Sequence, residues 1–391
     1  MYTQEKVFWQ HGQQEKSINM VSNKQTSVAD FEKYHFSVAT ATDNQDIIAL
    51  LKKNPIHMEM DYIMDRQDDF FKVQKIYPGS KVMIARNTTT NEIVGCLSLL
   101  KLEGMIAGEK ITYQYITDLV KSGQEQSPLL MKKLLNYTFE NHFDTDFLFG
   151  LINAANKSAR FFSTSDVLHY RGKVLAKFHY SEIIPLSLHR IPQRFEIRFP
   201  ATAEAQIIAL NFINNHYKNH LLFLPLDLLF LKKMFVELPN FSYQNIAMLY
   251  EAGILKGVMM LYNPAEVVSV IIARMDRKTK ILLGLIKAIH RTTGLLFSPP
   301  GEGGQIKTLQ VRYLAGTKET QSVLLRYANN FAYQHQLHSV SMLVDERDAI
   351  KADNAVVYQY QSLMYAGFKT VFLSKTNYFK DMPVFFDITF S

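Results

Sequence analysis

With a single cysteine, Cys96, in 391 residues, the chain can form no intrachain disulfide and no cysteine cluster for zinc. That usage suits a reducing compartment. Long apolar runs are missing too: the most apolar stretch, residues 221–231, is short for a membrane span and carries Pro225 and Asp227. The first residues lack the apolar core of a secretory signal, so a soluble, cytoplasmic protein without membrane contact is the expectation, with export by another route left open. Dense basic runs and aromatic-basic motifs are absent as well. The formal charge of +7 favours anionic partners such as nucleotides, phosphorylated cofactors or acidic surfaces, but it is spread along the chain, and nucleic acid is not expected. Gly301-Glu302-Gly303-Gly304 lacks the Gly-Lys-Ser/Thr ending of a nucleotide-binding loop and reads as a turn.

What is present is apolar material in quantity. A hydrophobic fraction of 47%, with 12% aromatic residues, is that of a well-buried globular protein. The length exceeds what one core usually serves, and points to two domains. Residues 1–35 form a polar extension rich in Gln, Lys, Ser and Asn, in which Phe8-Trp9 is a candidate anchor.

The remainder repeats itself. A strand at 111–120, a turn at 124–128, a helix at 129–142 and a strand at 147–152 have a counterpart in a strand at 308–315, a helix at 318–335 and a strand at 339–344. The spacing further predicts a strand at 36–41 and a helix at 45–53 capped by Asp43. A second helix is expected over 62–73, then a hairpin of 81–86 with 93–102, a short helix at 156–162 and strand material at 173–184. Residues 185–192, with two prolines, read as the linker. The second part then predicts a strand at 195–199, a helix at 203–217, two further helical stretches, and a hairpin of 245–250 with 255–262. An insertion at 267–304 holds a strand and a basic helix over 278–291. The domains are therefore drawn at 36–188 and 189–391. The fold class is α/β, a central mixed sheet flanked by helices in each part.

Particular residues give this layout a resemblance. The hairpin residues Ile93-Val94-Gly95, the strand Thr117-Asp118-Leu119-Val120, the loop into Pro128-Leu129-Leu130 and the run Asn156-Lys157-Ser158-Ala159-Arg160-Phe161-Phe162 resemble motifs of the GNAT superfamily of acyl-CoA-dependent N-acyltransferases. Leu324-Leu325 and Ala366-Gly367-Phe368 resemble family positions in the second half. The likeness spans most of residues 36–391 and implies two GNAT-like domains in tandem, the first with an acyl-CoA site. It implies N-acyl transfer, with acetyl-CoA as co-substrate, to an amine-bearing acceptor, a small molecule or a peptide. The family's phosphate loop overlays here with Gln124 first, Ser127 on the first small position and Leu129 on the second. Leu119, Val120, Pro128 and Leu130 would flank the coenzyme, and Asn156 would meet the pantetheine arm.

The chemistry asks little of the protein. A helix N-terminus offers amide groups and a positive dipole end to a diphosphate. Direct transfer from a thioester needs an unprotonated amine, hydrogen bonds to the developing oxyanion and a proton for the thiolate. Asp118 is the candidate proton acceptor. Tyr115, with Tyr113 on the same face of the strand, either lines the acyl pocket, as the second candidate catalytic residue, or packs in the core. The tyrosine acid common in the family has no counterpart: Phe162 and Leu363 stand there, with Tyr358, Tyr360 and Tyr365 expected nearby on a helix. His142, Asp144 and Asp146 read as loop residues, and no metal is expected. Asp345-Glu346-Arg347-Asp348 either pairs around Arg347 or receives a cationic substrate. The second half's turn at 316–322 has no phosphate pattern, so that copy reads as degenerate, either a wall of the acceptor groove or a structural support of the first. Two other readings stay open: a tandem transferase with a larger donor, aminoacyl-tRNA or long-chain acyl-CoA, and a scaffold that keeps the fold without turnover.

Overall fold

The computed structural model describes residues 33–57, 60–127, 129–154, 172–293, 300–348, 356–368 and 375–387. The first half contributes strands β1 (Tyr34–Val38), β2 (Ile56–His57), β3 (Met60–Asp65), β4 (Lys81–Asn87), β5 (Ile93–Ile106), β6 (Glu109–Lys121), β7 (Phe147–Asn153) and β8 (Gly172–Ile184). The second contributes β9 (Phe195–Arg198), β10 (Ile246–Glu251), β11 (Ile254–Tyr262), β12 (Ser269–Met275), β13 (Gln305–Ile306), β14 (Thr308–Gly316), β15 (Ser339–Asp345) and β16 (Val356–Phe368). The helices used below are α1 (Asn44–Lys53), α2 (Lys72–Ile76), α3 (Leu130–His142), α4 (Ala203–Tyr217), α5 (Leu228–Glu237), α6 (Arg277–Thr293) and α7 (Lys318–Gln334).

Twelve strands make one mixed sheet, ordered β1-β4-β5-β6-β7-β16-β8-β15-β14-β11-β10-β9. Read from either edge, the same series appears, with β6 parallel to β7 and β14 parallel to β15. The two series meet by exchange. β16 pairs with β7, and β8 pairs with β15, so each half lends its last strand to the other. The repeat legible in the sequence is thus a repeat of strand order inside one continuous sheet.

Burial follows from the residues. β5 is buried on both faces over residues 93–100, as a run that is apolar but for Ser98 requires of a central strand. α3 presents Leu130, Leu134, Leu135 and Phe139 at helical spacing to a core with Leu97, Leu99 and Leu148. α7 does the same with Val323, Leu324, Ala328 and Ala332 against Leu309, Val340 and Met342. Thr317 caps it by accepting the Thr320 N–H, and Thr202 caps α4 by accepting that of Ala205. The largest core joins the halves, packing Tyr113, Phe147 and Phe149 with Leu210, Met260, Tyr313 and Phe386.

Three expected elements differ. The helix expected over 62–73 is strand β3, a turn and the short α2, because Met60–Asp65 pairs with β12 from the insertion in a separate four-stranded sheet, β13-β12-β3-β2. A strand partner some two hundred residues away overrides the local pattern. Tyr358, Tyr360 and Tyr365 lie on β16, not on a helix, and Ala366-Gly367-Phe368 are its last residues. Between α4 and β10 the one α-helix is α5. The expected helix at 156–162 and the Phe8-Trp9 anchor lie outside the described residues.

Candidate active site

The sheet opens twice. β6 and β7 run in register from Tyr113/Phe147 to Ile116/Gly150, then part, β6 going on to Lys121 and β7 to Asn153. Just past this fork β6 bulges. Cys96 faces Val120 and Ser98 faces Thr117, leaving Asp118 and Leu119 opposite Leu97 alone. A bulge leaves backbone polar groups out of the ladder and re-aims them, here beside an open seam. Asp118 sits at φ 51°, a left-handed conformation that Asp tolerates better than most residues. Its carboxylate is held there, one oxygen by the Arg66 guanidinium and the other by the Ser98 hydroxyl at 2.8 Å. Arg66 and Asp118 are both buried, with side chains 2% and 6% exposed. Arg66 Nε and Nη1 find no partner among the described residues.

The loop from the fork to α3 is closed on itself. The Gly123 N–H donates to Asn54 Oδ1 at 2.5 Å, Glu125 N–H to the Ser122 carbonyl at 3.0 Å, and Ser127 N–H to Glu125 Oε1 at 2.9 Å. Lys33 Nζ also reaches that Glu125 oxygen, at 3.0 Å. Burial pushes the Glu125 carboxyl up, but the Ser127 amide and Lys33 outweigh it and hold it below the usual range. A carboxylate of the chain itself thus occupies an amide at the place where the overlay puts a diphosphate. Gln124 is exposed, Leu129 and Ser127 are half-buried, and Leu130, the first residue of α3, is buried in the core. Leu119 is 42% exposed, and Val120 packs on the core beneath α1.

Tyr113 and Tyr115 project from β6 into a cavity of about 510 Å³ between the halves. Leu100, Leu102, Leu222, Phe230, Tyr313 and Phe386 line it, with Lys101, Asp227, Lys233 and Asp387 among its polar residues. Tyr115 packs against Phe149 and Phe386, with centroids at 5.1 and 4.9 Å. Burial pushes its phenol well above the ordinary range, so the hydroxyl keeps its proton.

The second opening mirrors the first. β14 and β15 stay in register from Thr308/Ser339 to Val311/Met342, then diverge. A cavity of about 300 Å³ lies there, lined by Gly316, Thr317 and Lys318 at the start of α7 together with His216, His220 and Asp348. His220 Nε2 and Asp348 Oδ2 are 2.5 Å apart, and His220 Nδ1 is buried without a partner among the described residues. Burial pushes the Asp348 carboxyl up, and the contact with His220 more than reverses that. With Asp348 ionised, Nε2 is the nitrogen that donates in this contact. The segment Pro383–Asp387 separates the two cavities, Phe385 and Phe386 bordering both.

No protein-family model matches the chain, and none of the curated proteins matches it. Solved structures do. Saccharomyces cerevisiae N-myristoyltransferase with bound myristoyl-CoA superposes with a TM-score of 0.57 at 12% identity, over 89% of this chain and 81% of that one. A GCN5-related N-acetyltransferase from Sphaerobacter thermophilus gives 0.54 at 9% identity, over 85% and 95%. A GCN5-related glucosamine N-acetyltransferase region of a fungal multi-domain β-N-acetylglucosaminidase gives 0.53 at 12%, over 86% of this chain and 38% of that one. The fold is a GNAT fold.

Within this GNAT fold the expected residues separate. Asp118, Leu119 and Val120 gather at the bulge, Tyr113 and Tyr115 at the cavity, and Gln124, Ser127, Leu129 and Leu130 along the loop into α3. Pro128 and Asn156 lie outside the described residues. Leu363 is on β16, half-buried, and Tyr360 stacks on Tyr180 at 4.7 Å. Arg347 pairs with Asp345, the inward pairing anticipated for that run. Among the described residues no cluster of three or more His, Cys, Asp or Glu is placed to hold a metal, and no helix is long and apolar enough to cross a membrane.

Sequence reasoning missed Arg66, Glu125, His220 with Asp348, and Arg312 with Asp387, the last pair linking the cavities, Asp387 lining the larger and the buried Arg312 the smaller. Arg66 fell in a segment read as helix. Glu125 turns back on the nearby Ser127 amide and also meets the distant Lys33, while the other two pairs join residues far along the chain, which no local spacing signals.

Proposed function

We propose that this chain is an N-acyltransferase, moving an acyl group from a coenzyme A thioester directly to an amine. The observation that carries the reading is the fork of β6 and β7 with the bulge at Asp118 beside it. An extended pantetheine arm would complete the open seam with backbone hydrogen bonds, as an added strand does. Backbone N–H groups freed at the bulge would then meet the thioester oxygen as negative charge develops on it. Asp118 belongs to this proposal as a positioning residue, since both its oxygens are engaged in holding the bulge. Tyr115 is the proposed hydrogen-bond donor at the reacting end of the cavity.

Acetyl-CoA is the simplest donor, with Gln124, Ser127 and Leu129 at the coenzyme's diphosphate and Leu119, Val120 and Leu130 against its arm. A second reading, a longer acyl group, is favoured by one observation. About 510 Å³ of aromatic and aliphatic space, in the range that holds whole small molecules, exceeds what two carbons need. The structures with bound myristoyl-CoA among those of like fold agree with it. The amine-bearing acceptor is proposed to lie between the halves and to reach the second opening, where the unpartnered His220 Nδ1 would hydrogen-bond to it. No metal enters the proposal. The division at 36–188 and 189–391 is proposed as one of the chain, and the cytoplasm as the site of action.

The test is thiol release from acetyl-, octanoyl- and myristoyl-CoA in the presence of peptide and small amines. Amine-dependent release that Tyr115→Phe lowers about tenfold or more in kcat is the expected result. Amine-independent release, or none with any donor, would contradict the reading.

A further inference from the structure

The insertion in the second half places a helix of unusual character on the surface. α6 stands between β12 and β13 of the small sheet, and Asp276 starts it by accepting the Thr279 N–H at 2.7 Å. Its 17 residues make a rod of about 25 Å. They include Arg277, Lys278, Lys280, Lys287 and Arg291 and not one Asp or Glu. Ile281 and Leu285, one turn apart, are 58% and 59% exposed. Gly284 and Ala288 continue the exposed stripe. Arg277 and Lys278 are exposed at one end of it, with no ion-pair partner among the described residues, whereas Lys280 pairs with Glu302 at 2.8 Å.

Single exposed apolar residues need no explanation. A pair in line on a helix whose charges are all basic is different, because that combination matches a surface that is anionic above and hydrocarbon below. Nucleic acid would satisfy the cations and leave Ile281 and Leu285 in water.

We propose that α6 docks this protein on an anionic membrane surface, Ile281 and Leu285 entering the acyl boundary while the basic residues engage headgroup phosphates. The net charge of +7 on the whole chain adds to the attraction. The inference does not depend on the acyl-transfer reading.

It is tested by sedimenting the full-length protein with phosphatidylcholine vesicles, with or without phosphatidylserine. Binding to the phosphatidylserine vesicles alone is expected, fading as salt is raised. Ile281→Glu with Leu285→Glu, and separately Arg277→Glu with Lys278→Glu, should each weaken it about tenfold or more. Circular dichroism melts matching the parent would show that these exposed substitutions leave the fold intact. Failure of the parent protein to pellet, or equal pelleting of both variants, would overturn the proposal. So would binding to duplex DNA or polyglutamate as tight as to vesicles, which would assign the helix to a polyanion.

Discussion

Two buried side chains carry most of the meaning of the first opening. Asp118 keeps a left-handed backbone because Arg66 and Ser98 grip its carboxylate, so the bulge rests on a pair shut away from water. Removing one partner of such a pair strands the other's charge. Asp118→Ala should therefore cost about 3–5 kcal/mol in denaturant unfolding. Asp118→Asn, which still accepts from Arg66 through its one oxygen and tolerates the left-handed conformation, should cost less. Equal stability of all three proteins would mean that the pair does not hold the bulge. His338 makes a second prediction. Its Nδ1 accepts the Lys307 N–H at 2.7 Å, and burial, with the Lys307 charge, pushes its pKa from 6.5 to about 4. The folded chain keeps it neutral where the unfolded chain takes up a proton. The stability it contributes is thus full above pH 6.5 and lost as pH falls towards 4. Solvent screening limits the effect to about 1 kcal/mol, and His338→Gln should flatten that part of the stability–pH curve. An unchanged curve would contradict the assignment.

Among the elements, β5 and the segment after α4 meet with no room to spare. A Cβ on Gly104 would lie 2.5 Å from the Leu222 carbonyl oxygen, and the Leu222 N–H donates to the Met105 carbonyl at 2.8 Å. This contact seats one wall of the larger cavity. Gly104→Ala should lower stability by roughly 2–3 kcal/mol, read from the melting temperature, and loosen that wall. A neutral outcome would mean that the strand shifts freely. Elements whose order comes from their own residues were legible in the chain: α3, α4 and α7 from the pattern of their own residues, the hairpin of β10 and β11 from Ala252-Gly253, both at positive φ. Elements defined by a distant partner were not. Met60–Asp65 needed β12 to become a strand, and the tyrosines of β16 needed β7 and β8. The site divides in the same way. Tyr113 and Tyr115 were legible as one face of a strand, whereas the grip on Asp118 and the dyad of His220 with Asp348 join residues 52 and 128 positions apart.

For the whole molecule, the exchange of last strands makes the halves interdependent. β8 belongs to the first half of the chain yet has β16 and β15, both from the second, as its neighbours. Residues 36–188 expressed alone would leave β7 with an open edge and β8 with two, so they should aggregate or stay unfolded, while the full chain melts in one transition. A soluble, cooperatively folding fragment would contradict that reading. The central claim, an acyl-CoA site at the fork of β6 and β7, is tested most directly by calorimetric titration of acetyl-CoA, myristoyl-CoA and free coenzyme A into the full-length protein and into Ser127→Glu. Micromolar binding of a coenzyme A thioester, lost when a second carboxylate joins Glu125 in the loop, is the predicted result. A folded protein that binds none of the three, or a variant that binds as the parent does, would contradict it.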